Sequence, residues 1–290
     1  MHPLAHHPFL KMNGIGNAIL VLDLRDTAYE LTPDDARAIA QGPDTPFDQL
    51  MVLYPPRLPE TLARMKIFNC DGSLSAACGN GTRCVAWALT EQSDQNTLLL
   101  ESDAGLLVCE RKADRLFSVD MGTPKLDWQQ IPLSFAAPDT NQVAIKLPPS
   151  YGLDLPMASM VNMGNPHIIF FVKDAQAADL KHIGPLLEHH PAFPEKANIS
   201  MAEMTNRRAM ILRVWERGAG MTLACGSAAC AATVAAIRRG LGERRLLVHL
   251  PGGDLTIEWR EDNHHVIMTG AVELEARGQF SSSLFKAKPL

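Results

Sequence analysis

One motif occurs twice in the chain, and this internal repeat constrains the fold more than any other feature. Ala77-Cys78-Gly79 and Ala224-Cys225-Gly226 are each followed by small residues and then by an apolar run. The two cysteines are 147 positions apart in a chain of 290 residues, so the spacing is close to half the length. A repeat of this spacing predicts two similar halves, each with an apolar helix that begins beside a cysteine.

Two further pairs of residues fit the same spacing. Gly16-Asn17 and Gly164-Asn165 are 148 positions apart, and Gln49 and Asn198 are 149 apart. Three pairs in one order and at nearly one offset favour duplicated halves. The Pro-bearing stretch from Thr123 to Pro132 is a plausible junction between them.

Strand patterns outnumber helix patterns along the chain. Helices are predicted from Thr82 to about Thr90, from Ser227 to about Arg239, and after the cap residue Thr32 as far as Ala40. Eight segments have the length and the apolar content of strands: Asn17–Asp23, Asn96–Glu101, Arg115–Asp120, His167–Val172, Met210–Trp215, Leu246–Leu250, Asp254–Trp259 and Val266–Met268. Strand-rich halves that each hold one all-round apolar helix predict a sheet wrapped around a buried helix.

Composition excludes several classes of function. The chain has 27 Lys and Arg against 32 Asp and Glu, a net charge of -5, which argues against a nucleic-acid or anionic-membrane surface. The apolar run Ala228–Ile237 is half the ~20 residues that a bilayer span needs. The first residues resemble no secretory signal, so we expect a cytoplasmic location. Six cysteines are too few for a disulfide scaffold in a chain of this length, and the absence of Cys-x2-Cys spacing argues against zinc.

A cysteine immediately before a helix has a distinctive chemistry. The unpaired N–H groups at the positive end of the helix favour the thiolate, and the pKa of such a thiol can fall below the free value of ~8.5. The same N–H groups bind anions, including a substrate carboxylate. Two such helix starts facing each other across a cleft could remove a proton from one face of a carbon and return one on the other.

Five ordered motifs closely resemble those of diaminopimelate epimerase, over a region from about Phe9 to Gly278. They are Lys11–Asn17, Asn69–Ser73, Ala77–Cys84, Gly164–His167 and Glu216–Ser227. The resemblance implies that the chain interconverts LL- and meso-diaminopimelate in bacterial lysine and cell-wall biosynthesis. It also implies two catalytic cysteines, no pyridoxal cofactor and no metal.

The resemblance carries a fold and an assembly with it. It implies an α+β fold of two pseudo-symmetric halves, each with a mixed, mostly antiparallel sheet wrapped around a central helix, and a cleft between them. The halves would be residues 1–125 and 126–274, and the final strand, about 275–290, would return to the first half. The family usually forms a homodimer, and nothing in the likeness involves nucleic acid or a membrane.

The resemblance also assigns roles to individual residues. Cys78 and Cys225 would be the acid/base thiols, and His167 and Glu216 would adjust their pKa values. Arg217 would bind the distal carboxylate of the substrate in a bidentate manner, which Lys does less well. The full set of implied substrate contacts is Asn17, Gln49, Asn69, Gly79, Asn80, Asn165, Asn198, Glu216, Arg217, Gly226 and Ser227.

The chain departs from the family pattern at three places. Ala18-Ile19 follows Asn17 where Asp-Phe is usual, and Ala228 stands where Gly is more common. The methyl group of Ala228 would matter only if its backbone needed a positive φ. Cys70 occupies a position where a small residue is usual, and no role is assigned to it.

Four alternatives stay open at this point. Proline racemase-like proteins also use two thiols, but they have a Cys-Gly-His-Gly pattern, and Asn80 replaces that His here. Phenazine-type isomerases share the fold but lack the cysteine pair. A thiol-redox protein could use Cys78 and Cys225, although a Cys-x-x-Cys motif is absent. A binding module could keep the amides, yet it would not need both thiols.

Overall fold

The chain folds into two compact units, which are called the first half and the second half below. The first half comprises Met1–Val119 together with Gly270–Leu290, and the second half comprises Asp120–Thr269. A computed structural model describes the following parts of the chain: residues 2–75, 77–91, 93, 95–147 and 155–285. Residues 286–290, which belong to the predicted return segment, lie outside them.

Short strands and two helices make up the first half. Its elements are β1 (Pro8–Asn13), β2 (Ala18–Asp23), α1 (Pro33–Ala40), β3 (Gln49–Tyr54), β4 (Ala63–Asn69), β5 (Leu74–Ser75), α2 (Gly79–Thr90), β6 (Thr97–Ser102), β7 (Gly105–Ala113), β8 (Leu116–Asp120) and β17 (Glu273–Gln279). β17 pairs antiparallel with β1, so a strand near the end of the chain returns to this half. A short 3-10 helix, Ser282–Phe285, follows it.

The second half repeats this succession of elements. They are β9 (Ala158–Asn162), β10 (Pro166–Phe171), α3 (Leu180–Glu188), β11 (Asn198–Asn206), β12 (Ala209–Glu216), β13 (Gly220–Thr222), α4 (Gly226–Arg238), β14 (Arg245–Leu250), β15 (Gly253–Trp259) and β16 (Val266–Ala271). Each helix and strand from β9 to α4 has its counterpart, in the same order, from β1 to α2.

The strands also pair in the same order in the two halves. In the first half β1–β2, β3–β4, β4–β5 and β6–β7 are antiparallel, whereas β2–β3 and β4–β6 are parallel. In the second half β9–β10, β11–β12, β12–β13 and β14–β15 are antiparallel, whereas β10–β11 and β12–β14 are parallel. The prediction of two similar halves with mixed, mostly antiparallel sheets is therefore confirmed.

One helix in each half is surrounded by strands. All residues of α2 from Asn80 to Thr90 are buried, and the helix packs against β1, β2, β3 and β7. In α4 the residues Ala228–Ala236 are buried, and this helix packs against β9 to β12, β14 and β15. A helix such as α4, whose side chains are nearly all apolar, gains stability when it is enclosed in this way. No helix in the described ranges is long and apolar enough to cross a membrane.

All eight predicted strands and the three predicted helices are present, but the pattern leaves other elements out. It does not predict β1, β3, β4, β5, β7, β9, β11, β13, β17 or the helix α3. Several of these strands are very short or largely polar, and pairing with neighbours specifies them more than their own residues do. In α3, Gly184 and Pro185 are typical of a turn.

Tertiary packing overrides that turn signal in α3. The side chain of Asp179 caps the helix by accepting a hydrogen bond from the His182 N–H group at 3.3 Å. The side chains of Leu180, Ile183 and Leu187 are buried in the core of the second half. The glycine allows close contact with β12, because a Cβ atom at position 184 would lie 2.4 Å from the indole ring of Trp215.

The contact at Gly184 yields a prediction about stability. Replacing a helical Gly by Ala normally stabilises a helix by about 0.8–1.0 kcal/mol. In Gly184→Ala the new methyl group must displace the Trp215 ring, at a cost of about 1–3 kcal/mol for overpacking. We therefore expect a net decrease in the free energy of unfolding, measured by urea denaturation. An unchanged or higher stability of Gly184→Ala would contradict this packing.

Candidate active site

Cys78 is the N-cap residue of α2, as the sequence predicts. Its sulfur accepts a hydrogen bond from the Gly81 N–H group at 3.2 Å, and its S–H group donates to Asn17 Oδ1 at 3.9 Å. The first hydrogen bond inside the helix runs from Thr82 N–H to the Cys78 carbonyl, at 2.8 Å. The N–H groups of Gly79 and Asn80 precede that bond, so they belong to the donors at the start of a helix that bind anions.

Asp48 orients the amide of Asn17 toward this thiol. Asp48 Oδ2 accepts hydrogen bonds from Asn17 Nδ2 at 3.2 Å and from the Ala18 N–H group at 2.8 Å. The amide nitrogen of Asn17 therefore points to Asp48, and its oxygen points to the Cys78 sulfur. Sequence reasoning missed Asp48, although it stands directly before Gln49 in a segment that the repeat singles out.

The loop between β1 and β2 brings Asn17 to its position and is strained. Ile15 has a φ of 57°, a left-handed conformation that costs a residue other than glycine about 1–2 kcal/mol. Asn13 Oδ1 braces the turn by accepting a hydrogen bond from the Gly16 N–H group at 2.6 Å. Gly14 lets the loop lie close to the start of α2. A Cβ atom at position 14 would lie 3.1 Å from the Asn80 carbonyl oxygen.

Three other residues of the first half are predicted to contact substrate. Gln49 and Asn69 lie opposite each other on β3 and β4, and Asn69 Nδ2 donates to Ser73 Oγ at 3.0 Å. The side chain of Asn80 is buried and accepts a hydrogen bond from Arg83 Nη2 at 3.1 Å. Because that side chain is turned inward, Asn80 can contribute to a substrate site only through its backbone.

Cys225 is the N-cap residue of α4, but unlike Cys78 its side chain forms no capping hydrogen bond with the described residues. Only 5% of the residue is exposed, and its sulfur lies 3.5 Å from Ser227 Oγ. The first intrahelical bond, from Ala229 N–H to the Cys225 carbonyl at 3.1 Å, leaves the N–H groups of Gly226 and Ser227 at the free end. The predicted position of this cysteine at a helix start is confirmed.

The surroundings of Cys225 shift the pKa of its thiol in both directions. Burial raises the pKa of this thiol well above its usual value, and the carboxylate of Glu216 raises it further. Ser227 and the Ala228 N–H group lower the pKa, as a helix start should, but they do not outweigh the other two causes. At Cys225 the lowering of the pKa by the helix start is therefore outweighed, and the thiol form is favoured.

Glu216 is the last residue of β12, and Arg217 is the first residue of the turn that follows it. Glu216 Oε1 accepts a hydrogen bond from Thr222 Oγ1 at 2.5 Å. Arg217 donates through its backbone N–H group to Asn198 Oδ1 at 2.9 Å, and its Nη1 donates to the Glu195 carbonyl at 2.9 Å. Thr222 is a second residue that sequence reasoning missed.

Asn198 is almost fully buried, and its amide binds protein backbone at both ends. Its Nδ2 donates to the Pro166 carbonyl at 3.1 Å, while its Oδ1 accepts the Arg217 N–H group. Only 2% of the residue is exposed. These contacts join Asn198 to the backbone of Arg217, and the contact with substrate that the resemblance implies stays a prediction.

His167 is a fully buried, uncharged side chain. Burial and the positive charge of Arg217 lower its pKa to about 3, so the imidazole is neutral in the working range of an enzyme. His167 Nε2 lies 2.7 Å from Asn165 Oδ1, and because that oxygen only accepts, Nε2 carries the proton. Any effect of His167 on a thiol must then come from its dipole and not from a charge.

The departures from the family pattern fit the local structure. Ala228 is a buried residue inside α4 and is not among the residues with positive φ, so its methyl group causes no backbone strain. Ile19 is a fully buried residue of β2, and Ala18 gives its N–H group to Asp48. Cys70 is exposed. Cys84 and Cys109 are buried, which raises the pKa of each to about 12 and leaves them poor nucleophiles.

Solved structures with the same fold include proteins of several activities. A phenazine biosynthesis protein of the PhzF family from Enterococcus faecalis matches with a TM-score of 0.68 and 17% identity, covering 94% of this chain and 98% of that one. A probable proline racemase from Agrobacterium radiobacter K84 matches with a TM-score of 0.67 and 14% identity, covering 96% and 94%. At these identities the likeness shows the fold alone, and the fold confirms the architecture predicted above.

Comparison of sequences distinguishes among these activities. The family model described as diaminopimelate epimerase matches residues 9–126 and 159–275. A diaminopimelate epimerase from Methylobacterium sp. (strain 4-46) is 55% identical over 98% of this chain and 99% of its own length. One from Rhodopseudomonas palustris is 54% identical over 98% of this chain and 97% of its own length. The chain therefore belongs to the diaminopimelate epimerase family.

Proposed function

We propose that this chain interconverts LL- and meso-diaminopimelate by proton transfer at one α-carbon, with Cys78 and Cys225 as the two acid/base groups. Family membership supports the epimerase activity and the substrate. The observation that carries the mechanism is that each of two repeat-related helices begins at a cysteine. The product would serve lysine and peptidoglycan precursor biosynthesis. The homodimer and the cytoplasmic location stay predictions from the sequence.

The reaction needs stabilisation of negative charge beside the reacting carbon. The α-hydrogen of an amino acid is a weak acid, and its removal places charge on the carbon and the α-carboxylate. The N–H groups of Gly79, Asn80, Gly226 and Ser227 are fixed donors for that charge. Preorganised donors of this kind contribute about 2.7–4 kcal/mol each to the stability of a transition state.

The two thiols do not begin in equivalent states. One must be a base and the other an acid, so that one removes a proton while the other supplies one. Burial and Glu216 raise the pKa of Cys225, which suits it to start as the acid. Cys78 is then the base for the isomer whose α-hydrogen it removes, with the Gly81 N–H group donating to its sulfur. In the reverse direction the two cysteines exchange roles, and Cys225 is the base.

Alanine substitution tests whether both thiols take part. Cys78→Ala and Cys225→Ala should each lower epimerisation about 10²–10⁴-fold, the usual contribution of a positioned acid or base. Cys70→Ala is the matched control, because Cys70 is exposed, and it should retain activity. Product formation from LL-diaminopimelate, followed by chiral chromatography, gives the rates. Near-normal activity in either of the first two variants would end the two-thiol mechanism.

The protonation of Cys225 can be measured separately from turnover. Thiolates are the species that react with iodoacetamide, so the labelling rate of a cysteine follows its ionisation. In the free enzyme, Cys225 labelling should rise only at pH values well above ~8.5, the free cysteine value. Peptide mass spectrometry gives the labelling rate of Cys225 at each pH of a series. Labelling of the exposed Cys70 in the same samples shows that the iodoacetamide is active.

Glu216→Gln should shift the Cys225 profile to lower pH, because it removes a negative charge that raises the pKa of the thiol. Glu203→Gln removes a carboxylate elsewhere in the second half, where Glu203 accepts the Ala175 N–H group, and it should leave the profile unchanged. A Cys225 profile centred near neutral pH in the wild-type protein would refute the assignment of Cys225 as the initial acid.

A further inference from the structure

Glu188, the last residue of α3, is a carboxylate that is only 4% exposed. Its Oε2 accepts a hydrogen bond from Trp215 Nε1 at 2.7 Å, and its Oε1 accepts one from the Gly218 N–H group at 3.1 Å. Oε1 also lies 3.8 Å from Lys196 Nζ. Burying a carboxylate is costly unless hydrogen bonds and an opposite charge compensate it, and here both do.

The two hydrogen-bond donors flank Glu216 and Arg217 in the chain. Glu188 therefore forms hydrogen bonds with Trp215, which precedes Glu216, and with Gly218, which follows Arg217. Gly218 has a φ of 78°, which suits glycine, and Ala219 N–H closes the turn by donating to the Glu216 carbonyl at 3.1 Å. The backbone path through Arg217 is thus defined from both sides.

Glu188 also contacts the segment that holds the guanidinium of Arg217. Arg217 Nη1 donates to the Glu195 carbonyl, and the next residue, Lys196, forms the ion pair with Glu188. Lys196 has a left-handed backbone with a φ of 58°, a conformation that needs outside support in a residue other than glycine. One carboxylate therefore supports both the backbone of Arg217 and the segment that holds its side chain.

The first half contains a comparable support with different chemistry. There α1 holds the turn after β4 through Arg37, whose Nη1 donates to the Asp71 carbonyl at 3.0 Å. Gly72 packs against α1 so closely that a Cβ atom would lie 2.5 Å from the Pro33 carbonyl oxygen. The cation Arg37 binds a carbonyl group in the first half, whereas the anion Glu188 accepts hydrogen bonds from N–H groups in the second half. The carboxylate is thus specific to the half that carries Arg217.

We propose that Glu188 is a positioning residue that fixes Arg217 for the carboxylate of the substrate remote from the reacting carbon. This inference rests on the function proposed above. A remote contact binds the substrate and its transition state alike, so its loss raises KM and changes kcat little. Glu188 does not touch substrate in this account, and it acts only through the turn of Trp215 to Gly218.

Glu188→Gln tests the proposal with little change of shape. The amide NH2 group would face one of the two N–H donors, so one hydrogen bond is lost and a donor is left unsatisfied. We expect KM for diaminopimelate to rise about tenfold or more and kcat to fall less than about threefold. The matched control Glu203→Gln also alters a carboxylate that accepts a backbone N–H group, and it should leave KM unchanged.

A double-mutant cycle separates positioning from a general loss of structure. In the background of Arg217→Met, Glu188→Gln should change KM less than about twofold, because the group it positions is gone. Equal effects of Glu188→Gln with and without Arg217 would overturn the proposal, as would an unchanged KM in the single variant. If Glu188→Gln fails to fold, Trp215→Phe removes one donor and should raise KM by a smaller, equally Arg217-dependent factor. An inactive wild-type protein would instead refute the proposed function.

Discussion

The placement of a thiol at the positive end of a buried helix is the interaction on which the rest of the molecule depends. In each half the central helix is enclosed by strands along its length, and a cysteine caps its first turn. The backbone N–H groups there have no partner inside the helix. The sheets thus hold two sets of oriented donors in rigid positions, each beside a sulfur atom.

The repeat supplies two similar frameworks, and single substitutions make them chemically different. β12 ends at Glu216, whereas its counterpart β4 ends at the neutral Asn69. Ser227 and Glu216 act on Cys225, and Gly81 and Asn17 act on Cys78. The two thiols therefore lie in unequal surroundings, although the repeat gives them the same place at a helix start.

How much of the fold and of the site can be predicted from the sequence depends on how far apart the interacting residues lie in the chain. Local signals predict the two central helices, their cysteine caps and the strands with continuous apolar runs. The offset between motifs predicts the repeat. The helix α3 is not predicted, because its own Gly184 and Pro185 favour a turn. The roles of Asp48 and Glu188 arise from contacts between residues distant in the chain, which no local pattern contains. The raised pKa of Cys225 likewise follows from burial, which only the fold determines.

Deuterium incorporation tests the two-thiol mechanism most directly. If one thiol removes the α-proton and the other delivers a different proton exchanged with solvent, early turnover of either isomer in heavy water should label the product at the inverted carbon. Recovered substrate should then contain almost no deuterium, because the base does not return its proton to the same face. Transfer of the original proton to the product, or rapid labelling of substrate before any product forms, would contradict a mechanism with Cys78 and Cys225 as separate acid and base.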